Sequence, residues 1–173
     1  YSISDNRIRG IFEGPDGKLW ISLLEGFVIY DPCSEEFSSE IPYTYNNARI
    51  PSSAVNRLRT DQKGNIWMMS DELGLFCYNR ESGVVTHFET GSQHEKGIQS
   101  PAVSSLVADA DGYIWMIGFH GLLEKVDLKT HEVVFRTRFL NKMYPDWRSL
   151  QLFPDKDGHF WIYSSSSNEG VVL

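Results

Sequence analysis

The chain has 173 residues, of which 41% are hydrophobic and 23% charged, and its 16 Lys and Arg stand against 23 Asp and Glu for a formal charge of -7. A chain of this length and apolar content can bury roughly two-thirds of its unfolded surface, which excludes a disordered tail and a disulfide-stapled mini-protein. The acidic balance opposes nucleic acid and anionic lipid as partners, and no run approaches the roughly 18 apolar residues that a membrane-spanning helix needs.

In chain order, one short pattern returns four times. The first copy carries apolar Ile8 and Ile11, then Gly14, the pair Asp16-Gly17, a strand over Lys18 to Leu23 containing Trp20, and Gly26-Phe27 opening a third strand that ends near Tyr30-Asp31. The second repeats this with Val55, Leu58, Asp61, Lys63-Gly64, Asn65 to Ser70 around Trp67, Gly74-Leu75 and Tyr78-Asn79. The third has Val103, Leu106, Asp109, Asp111-Gly112, Tyr113 to Gly118 around Trp115, Gly121-Leu122 and Val126-Asp127. In the fourth, Ser149 takes the first apolar place, where Leu150 or Trp147 is expected to compensate; Leu152, Asp155, Asp157-Gly158, His159 to Ser164 around Trp161, and Gly170-Val171 follow. The tryptophans lie 47, 48 and 46 residues apart, each three positions after Gly17, Gly64, Gly112 or Gly158.

A glycine after a short polar residue marks a tight hairpin turn, because glycine tolerates positive φ and aspartate hydrogen-bonds its own backbone. The flanking strands therefore pair antiparallel, and the Trp-bearing strands read as buried on both faces. Glu36-Phe37, Val84 to Phe88 and Glu132 to Phe135 supply a fourth strand in the first three copies. A period of this length with four short strands and no helical apolar period predicts an all-β fold of β-propeller blades, each of four antiparallel strands, with about four blades present; an open β sandwich is the structural alternative. Helix should be nearly absent. The repeating Trp reads as a core plate between successive blades whose indole nitrogen needs a partner.

The whole of residues 1–173 then forms one propeller fragment, with units at about 5–40, 52–90, 100–139 and 147–173. Tyr1 to Ser4 is placed as the fourth strand of a preceding or closing blade. The chain starts at Tyr1 without a methionine or a leader-like segment and ends on Val171, Val172 and Leu173, so it is expected to be a piece of a larger propeller rather than a closed four-bladed ring. Cys33 and Cys77 form neither a metal-binding pair nor a disulfide framework and read as two buried thiols, their redox state open.

The strings VNRLRTDQKGNIWMMSDELGLFCYN, VSSLVADADGYIWMIGFHGLLEKVD and IRGIFEGPDGKLWISLLEGFVIYD resemble the periplasmic two-component regulator propeller repeat: an apolar pair, an Asp, a turn glycine, an apolar-Trp pair, a Gly-Leu and an aromatic-Asp ending. Gly14 in place of Asp, Lys63 before Gly64, an extra residue after Gly121 and the Asn168-Glu169 insertion depart from it. The resemblance implies a noncatalytic extracytoplasmic sensor of a hybrid two-component system of the kind found in gut Bacteroidetes, with a glycan or oligosaccharide as signal. It implies a periplasmic location, as part of an inner-membrane protein whose other segments carry the membrane span and a histidine kinase. A homodimer through the parent is a further implied partner; nucleic acid is not.

Chemistry at single residues is weaker. Asp109 with Asp111, and Asp155 with Asp157, recur at one turn position and read as turn caps rather than a catalytic pair or a calcium loop. A sialidase Asp-box places its acid two residues before the glycine, whereas here the acids stand one and three before it. His87, His94, His120, His131 and His159 have no metal-ligand spacing, and no nucleophile elbow, HExxH or phosphate-binding loop occurs. Neither a cofactor nor a metal is called for, and a lyase or hydrolase propeller is the least supported alternative. For binding, the turn between strands two and three and the connector to the next blade emerge on one face. Those segments nominate Tyr43, Tyr45, Arg49, Phe119, His120, Trp147 and Arg148 as ligand-binding candidates, because aromatic rings stack on sugars and guanidinium groups bind hydroxyls or uronate carboxylates. The same surfaces would serve a protein-binding or dimerisation propeller.

Overall fold

The computed structural model of the chain describes residues 3, 5–14, 16–45, 48–61, 63–90, 95–100, 102–109, 111–164 and 171–172, with side chains described for all of these except 41–49, 51, 171 and 172. Strands β1 (Ile8–Glu13), β2 (Leu19–Leu23), β3 (Phe27–Asp31) and β4 (Glu36–Ser38) form a meander in spatial order. A hairpin of β5 (Glu40–Tyr45) and β6 (Ala48–Pro51) follows, then a 3-10 turn at Ser52–Ala54. The second sheet contains β7 (Arg57–Thr60), β8 (Ile66–Ser70), β9 (Gly74–Tyr78) and β10 (Val85–Phe88). The third contains β11 (Val103–Ala108), β12 (Tyr113–Gly118), β13 (Leu123–Asp127) and β14 (Val133–Thr137). Helix α1 (Phe139–Met143) leads to the last sheet of β15 (Leu150–Pro154), β16 (Phe160–Ser164) and β17 (Val171–Val172). These are the predicted propeller blades, and the fourth copy contains the three strands anticipated for it.

The tryptophans hold one register in all four sheets: Phe12 pairs with Trp20, Arg59 with Trp67, Val107 with Trp115 and Phe153 with Trp161. The chain divides into two compact units, residues 1–87 and 88–173. Within the first, Trp20 lies between sheets, its ring 5.4 Å from Phe27 and 5.5 Å from Tyr78. Leu58, Ile66, Met68, Phe76 and Val85 complete that core. Within the second, Trp115 meets Phe160 of the following sheet at 5.1 Å. There Leu150 and Trp147 are buried with Ile117, Leu152 and Ile162, supplying the apolar contact that Ser149 lacks.

Three of the four Trp-bearing strands begin at a turn built on the aspartate three residues before the glycine. Asp61 Oδ1 accepts the N–H groups of Lys63 at 2.9 Å and Asn65 at 3.0 Å, while Oδ2 accepts Asn65 Nδ2 at 2.8 Å and Trp67 Nε1 at 2.9 Å. Asp155 repeats this toward Asp157, His159 and Trp161 Nε1, the last at 3.2 Å. Asp109 caps Asp111 and Tyr113, and its other oxygen lies 3.6 Å from Lys125 Nζ. One carboxylate thus closes the turn and, in the second and fourth copies, satisfies the indole nitrogen of the core plate. In the first copy Gly14 leaves that place free, and Trp20 has moved in: a Cβ on Gly14 would lie 2.8 Å from its Nε1.

A second repeated turn joins strands three and four. Asp31, Asn79 and Asp127 each accept the N–H groups two and three residues on. Four positions after each stands a left-handed residue, Gly83 at φ 67°, Glu35 at 57° and His131 at 62°. Only glycine adopts that conformation without a steric cost.

Several sequence expectations need correction. Cys77 is buried, which pushes its thiol up to about 12, but Cys33 is exposed because it sits in the polar turn after Asp31 rather than in a strand. Burial on both faces holds for β8, which is wholly buried, and fails for β16, where Trp161 and Tyr163 are 40% and 42% exposed. Phe153, the cross-strand partner of Trp161, is likewise 62% exposed, so among the described residues no sheet covers this side of β15 and β16. Helix is confined among the described residues to α1 and the 3-10 turn, and the connector after β4 holds a hairpin rather than a plain loop. The strand expected at Tyr1 to Ser4 lies outside the described residues except for Ile3, which packs against buried Ile21, Leu23 and Val28.

Two stability measurements check these turns. Asp61→Ala is expected to lower the unfolding free energy in urea by about 2–4 kcal/mol, because a buried indole nitrogen, two backbone N–H groups and the Asn65 side-chain amide lose a charged acceptor; Asp155→Ala should cost less, since Trp161 is partly solvated. Glu35→Gly should instead raise stability by about 1 kcal/mol through relief of the left-handed backbone.

Candidate functional site

The turn between β12 and β13 is closed by Gly118 N–H donating to Leu122 O at 2.8 Å and Gly121 N–H to Gly118 O at 2.9 Å. Two connectors press against it. A Cβ on Gly118 would lie 2.7 Å from Ser100 Oγ, and one on Gly121 would lie 3.0 Å from Leu150 Cδ1 and 3.3 Å from Leu140 Cβ. Missing side chains at these two glycines therefore let the segment before β11 and the segment carrying α1 close around the turn.

The result is a cavity of about 300 Å³. Gln99, Ser100 and Ala102 line one side, Gly118, Phe119, His120 and Leu122 the turn, and Arg138 and Asn141 the other side. The Phe119 and His120 rings stand edge to face with centroids 5.1 Å apart. Ser100 Oγ and Asn141 Oδ1 are both buried without a hydrogen-bond partner, whereas Asn141 Nδ2 donates to His120 O. Arg138 is exposed and makes no ion pair among the described residues.

A buried ion pair fixes one wall. Glu124 on β13 is 0% exposed, and its carboxylate accepts Arg136 Nε at 2.8 Å, the Gln99 N–H at 3.0 Å and the Ser100 N–H at 3.0 Å. Arg136 also donates to the carbonyl oxygens of Glu95, at 2.9 Å, and Gly97. Segment 95–100 is thereby tied to the third sheet by a charge-assisted network.

An equivalent pocket in the first unit, about 410 Å³, is lined by Ser53, Ala54, Asn56, Ser70, Asp71 and Glu72. It joins the same two classes of segment, the turn between strands two and three of a blade and the connector leading into a blade. Its polar groups are more fully used: Asn56 Oδ1 accepts the Asp71 N–H at 3.0 Å and Ser70 Oγ the Leu73 N–H at 3.0 Å.

Of the seven binding candidates, Phe119 and His120 line the cavity. Trp147 does not: it is 5% exposed and stacked on Tyr144 at 4.2 Å, a core side chain under the connector rather than a surface platform. Arg148 donates to the carbonyl oxygens of Pro145 and Trp147 in its own connector. Tyr43 and Tyr45 lie on β5 and Arg49 on β6; their side chains, like residues 46, 47, 93, 94 and 165–170, fall outside what is described. Ser100, Arg138 and Asn141 escaped the sequence reading because the connectors approach the turn with their ends, Ser100 just before β11 and Arg138 and Asn141 just after β14, rather than with their aromatic centres. Glu124 shares its strand with Lys125 and Asp127, so nothing local marks it as the buried acid.

Comparison with known proteins agrees with this architecture. Residues 2–23, the start of the first repeat, match the family model for the two component regulator propeller. No match was found among curated proteins. The chain is similar to the extracellular domain assigned as hybrid two component system BT3049 of B. thetaiotaomicron, at 18% identity and a TM-score of 0.66 over 99% of this chain and 22% of that one. It is similar to the extracellular domain assigned as one component system BT4673 of the same organism, at 21% identity and 0.63 over 95% and 23%. Apo AztD from Citrobacter koseri matches at 12% identity and 0.55 over 92% and 42%. The chain thus spans under half the length of each of these structures, and the likeness establishes a propeller fold.

The Glu124 network is testable by itself. Glu124→Ala strands Arg136 and two backbone N–H groups, and urea unfolding should register a loss of about 3–5 kcal/mol.

Proposed function

We propose that the chain is part of a noncatalytic sensor propeller in a two-component signalling protein, located outside the cytoplasm, and that it detects a glycan or oligosaccharide. The observation that carries this reading is the cavity at Phe119 and His120, where a blade turn and two connectors meet. Support for the signalling class comes from the regulator-propeller match at residues 2–23 and from the likeness to extracellular domains of bacterial regulators. The location proposed is the periplasm, with inner-membrane anchoring and a histidine kinase supplied by other segments of the parent.

Binding rather than turnover fits the side chains present. A serine nucleophile needs a base in hydrogen-bond reach, and Ser100 Oγ has no such partner among the described residues. Occupancy of the cavity would act by favouring one arrangement of the connectors over another, since a ligand shifts a conformational equilibrium only by its differential affinity. A protein-binding or dimerisation role is the second reading, favoured by the exposed Phe153, Trp161 and Tyr163 on one face of β15 and β16.

Calorimetric titration of the chain with a panel of plant and host oligosaccharides checks the reading. At least one is expected to bind and to be recovered uncleaved, and deletion of these repeats from the parent should abolish its transcriptional response. Absence of binding across the panel together with an intact response after deletion would overturn it.

A further inference from the structure

We infer that the Asp111-Gly112 peptide, at the tip of the β11–β12 hairpin, is a site of spontaneous covalent modification, closing to a succinimide and reopening as isoaspartate. This turn lies at the end of β12 opposite the β12–β13 turn and its cavity, so the modification is independent of the sensor reading.

The sequence supplies the chemistry at three places. Asp16-Gly17, Asp111-Gly112 and Asp157-Gly158 each put a carboxyl beside an amide nitrogen that no Cβ shields, whereas the second repeat has Lys63-Gly64. The chain contains no Asn-Gly, the other pair that cyclises readily. No co-reactant besides water is needed. Gly112 N attacks Asp111 Cγ, the C–O bond to the carboxyl hydroxyl breaks, and that hydroxyl leaves with the amide proton as water. Water then adds back to the ring. Breaking the bond from N to Cγ restores aspartate. Breaking the bond from N to the main-chain carbonyl carbon leaves Gly112 N on Cγ, so that the backbone runs through Cβ. Nothing is oxidised or reduced.

The fold ranks the three pairs. A peptide nitrogen is a poor nucleophile because its lone pair is shared with the carbonyl, and an N–H already donated elsewhere must first give up that bond. Gly17 N–H donates to Gly14 O at 3.2 Å and Gly158 N–H to Asp155 O at 3.3 Å. Gly112 N–H donates to nothing among the described residues. The carboxylates differ in the same sense. Asp16 Oδ1 accepts the Lys18 N–H at 3.3 Å, and its Oδ2 lies 3.9 Å from Lys18 Nζ. The exposed Asp111 carboxylate has no bond to surrender among the described residues. A Cβ on Gly112 would meet nothing within 4 Å, so a ring forming there has open space. Asp157 combines an exposed carboxylate with an engaged amide, and Asp16 has both groups engaged, which sets the order Asp111, Asp157, Asp16.

Isomerisation acts on the hairpin itself. Asp109 Oδ1 accepts the N–H groups of Asp111 at 3.0 Å and Tyr113 at 2.9 Å, and Gly112 O accepts the Leu128 N–H at 3.1 Å. An added main-chain carbon between the two capped amides shifts one relative to the other and weakens the cap.

The test incubates the folded chain in heavy-oxygen water at mildly acidic pH and physiological temperature. Each Asp-Gly peptide is then followed by protease digestion and mass spectrometry, which counts oxygen taken up from water, while chromatography separates isoaspartyl from aspartyl forms. Asp111 is expected to convert at least about fivefold faster than Asp157, the difference that one hydrogen bond makes, with Asp16 slowest. In urea the three rates should come together, because the ranking belongs to the fold and not to the sequence. Asp111→Glu, whose cyclisation needs a larger ring, should stop uptake at this turn and leave Asp157 unchanged. Conversion of Asp157 or Asp16 as fast as Asp111 in the folded chain, or a ranking that persists in urea, would overturn the inference. So would a folded chain that leaves Asp111 unconverted while the unfolded chain reacts.

Discussion

The contact on which the repeat depends is the one between a turn carboxylate and what lies directly after it in the chain. Asp61 binds two backbone N–H groups with one oxygen and the Trp67 indole with the other, so the closing of the hairpin and the placing of the core tryptophan are one event. Without such a partner a fully buried indole N–H would cost about as much as the hydrogen bond it forgoes. The same geometry at Asp155 and Trp161 explains why Trp spacing can survive while most other positions vary.

That local coupling is why so much of the fold was legible. The glycine and tryptophan spacing gave the strand pairs, and the registers Phe12 with Trp20 and Phe153 with Trp161 follow from a two-residue pleat applied to a fixed turn. What escaped was set by contacts between segments distant in sequence. The exposure of Cys33 depends on where a polar turn lies, and that of Trp161 on what covers its sheet. Trp147 read as a binding aromatic by its loop position, yet its ring fills the gap under the connector between the third and fourth sheets.

The site shows the same division. Phe119 and His120 were identified because a blade turn is a predictable place. Ser100 and Asn141 were not, since nothing local marks a buried oxygen left without a donor. Glu124 joins the two levels: a strand residue whose carboxylate holds the wall of a cavity made by loops. Stability and the shape of the cavity are accordingly not separable in the second unit, because the strand that carries Glu124 also orders Gln99 and Ser100.

The glycine at position 14 has a consequence for how the repeats respond to protons. Asp155 is held below its ordinary value of 3.8, chiefly by the His159 backbone N–H, so its contribution is complete near neutrality and fades as acidification passes through that lowered value. Where Gly14 stands in place of the acid, that turn position has nothing to protonate, and Trp20 is held by packing alone. Acidification therefore loosens the Asp155 turn, where the first hairpin has no carboxylate at the matching position, while the first sheet meets the same pressure at Asp31, held below its ordinary value chiefly by the Cys33 backbone N–H.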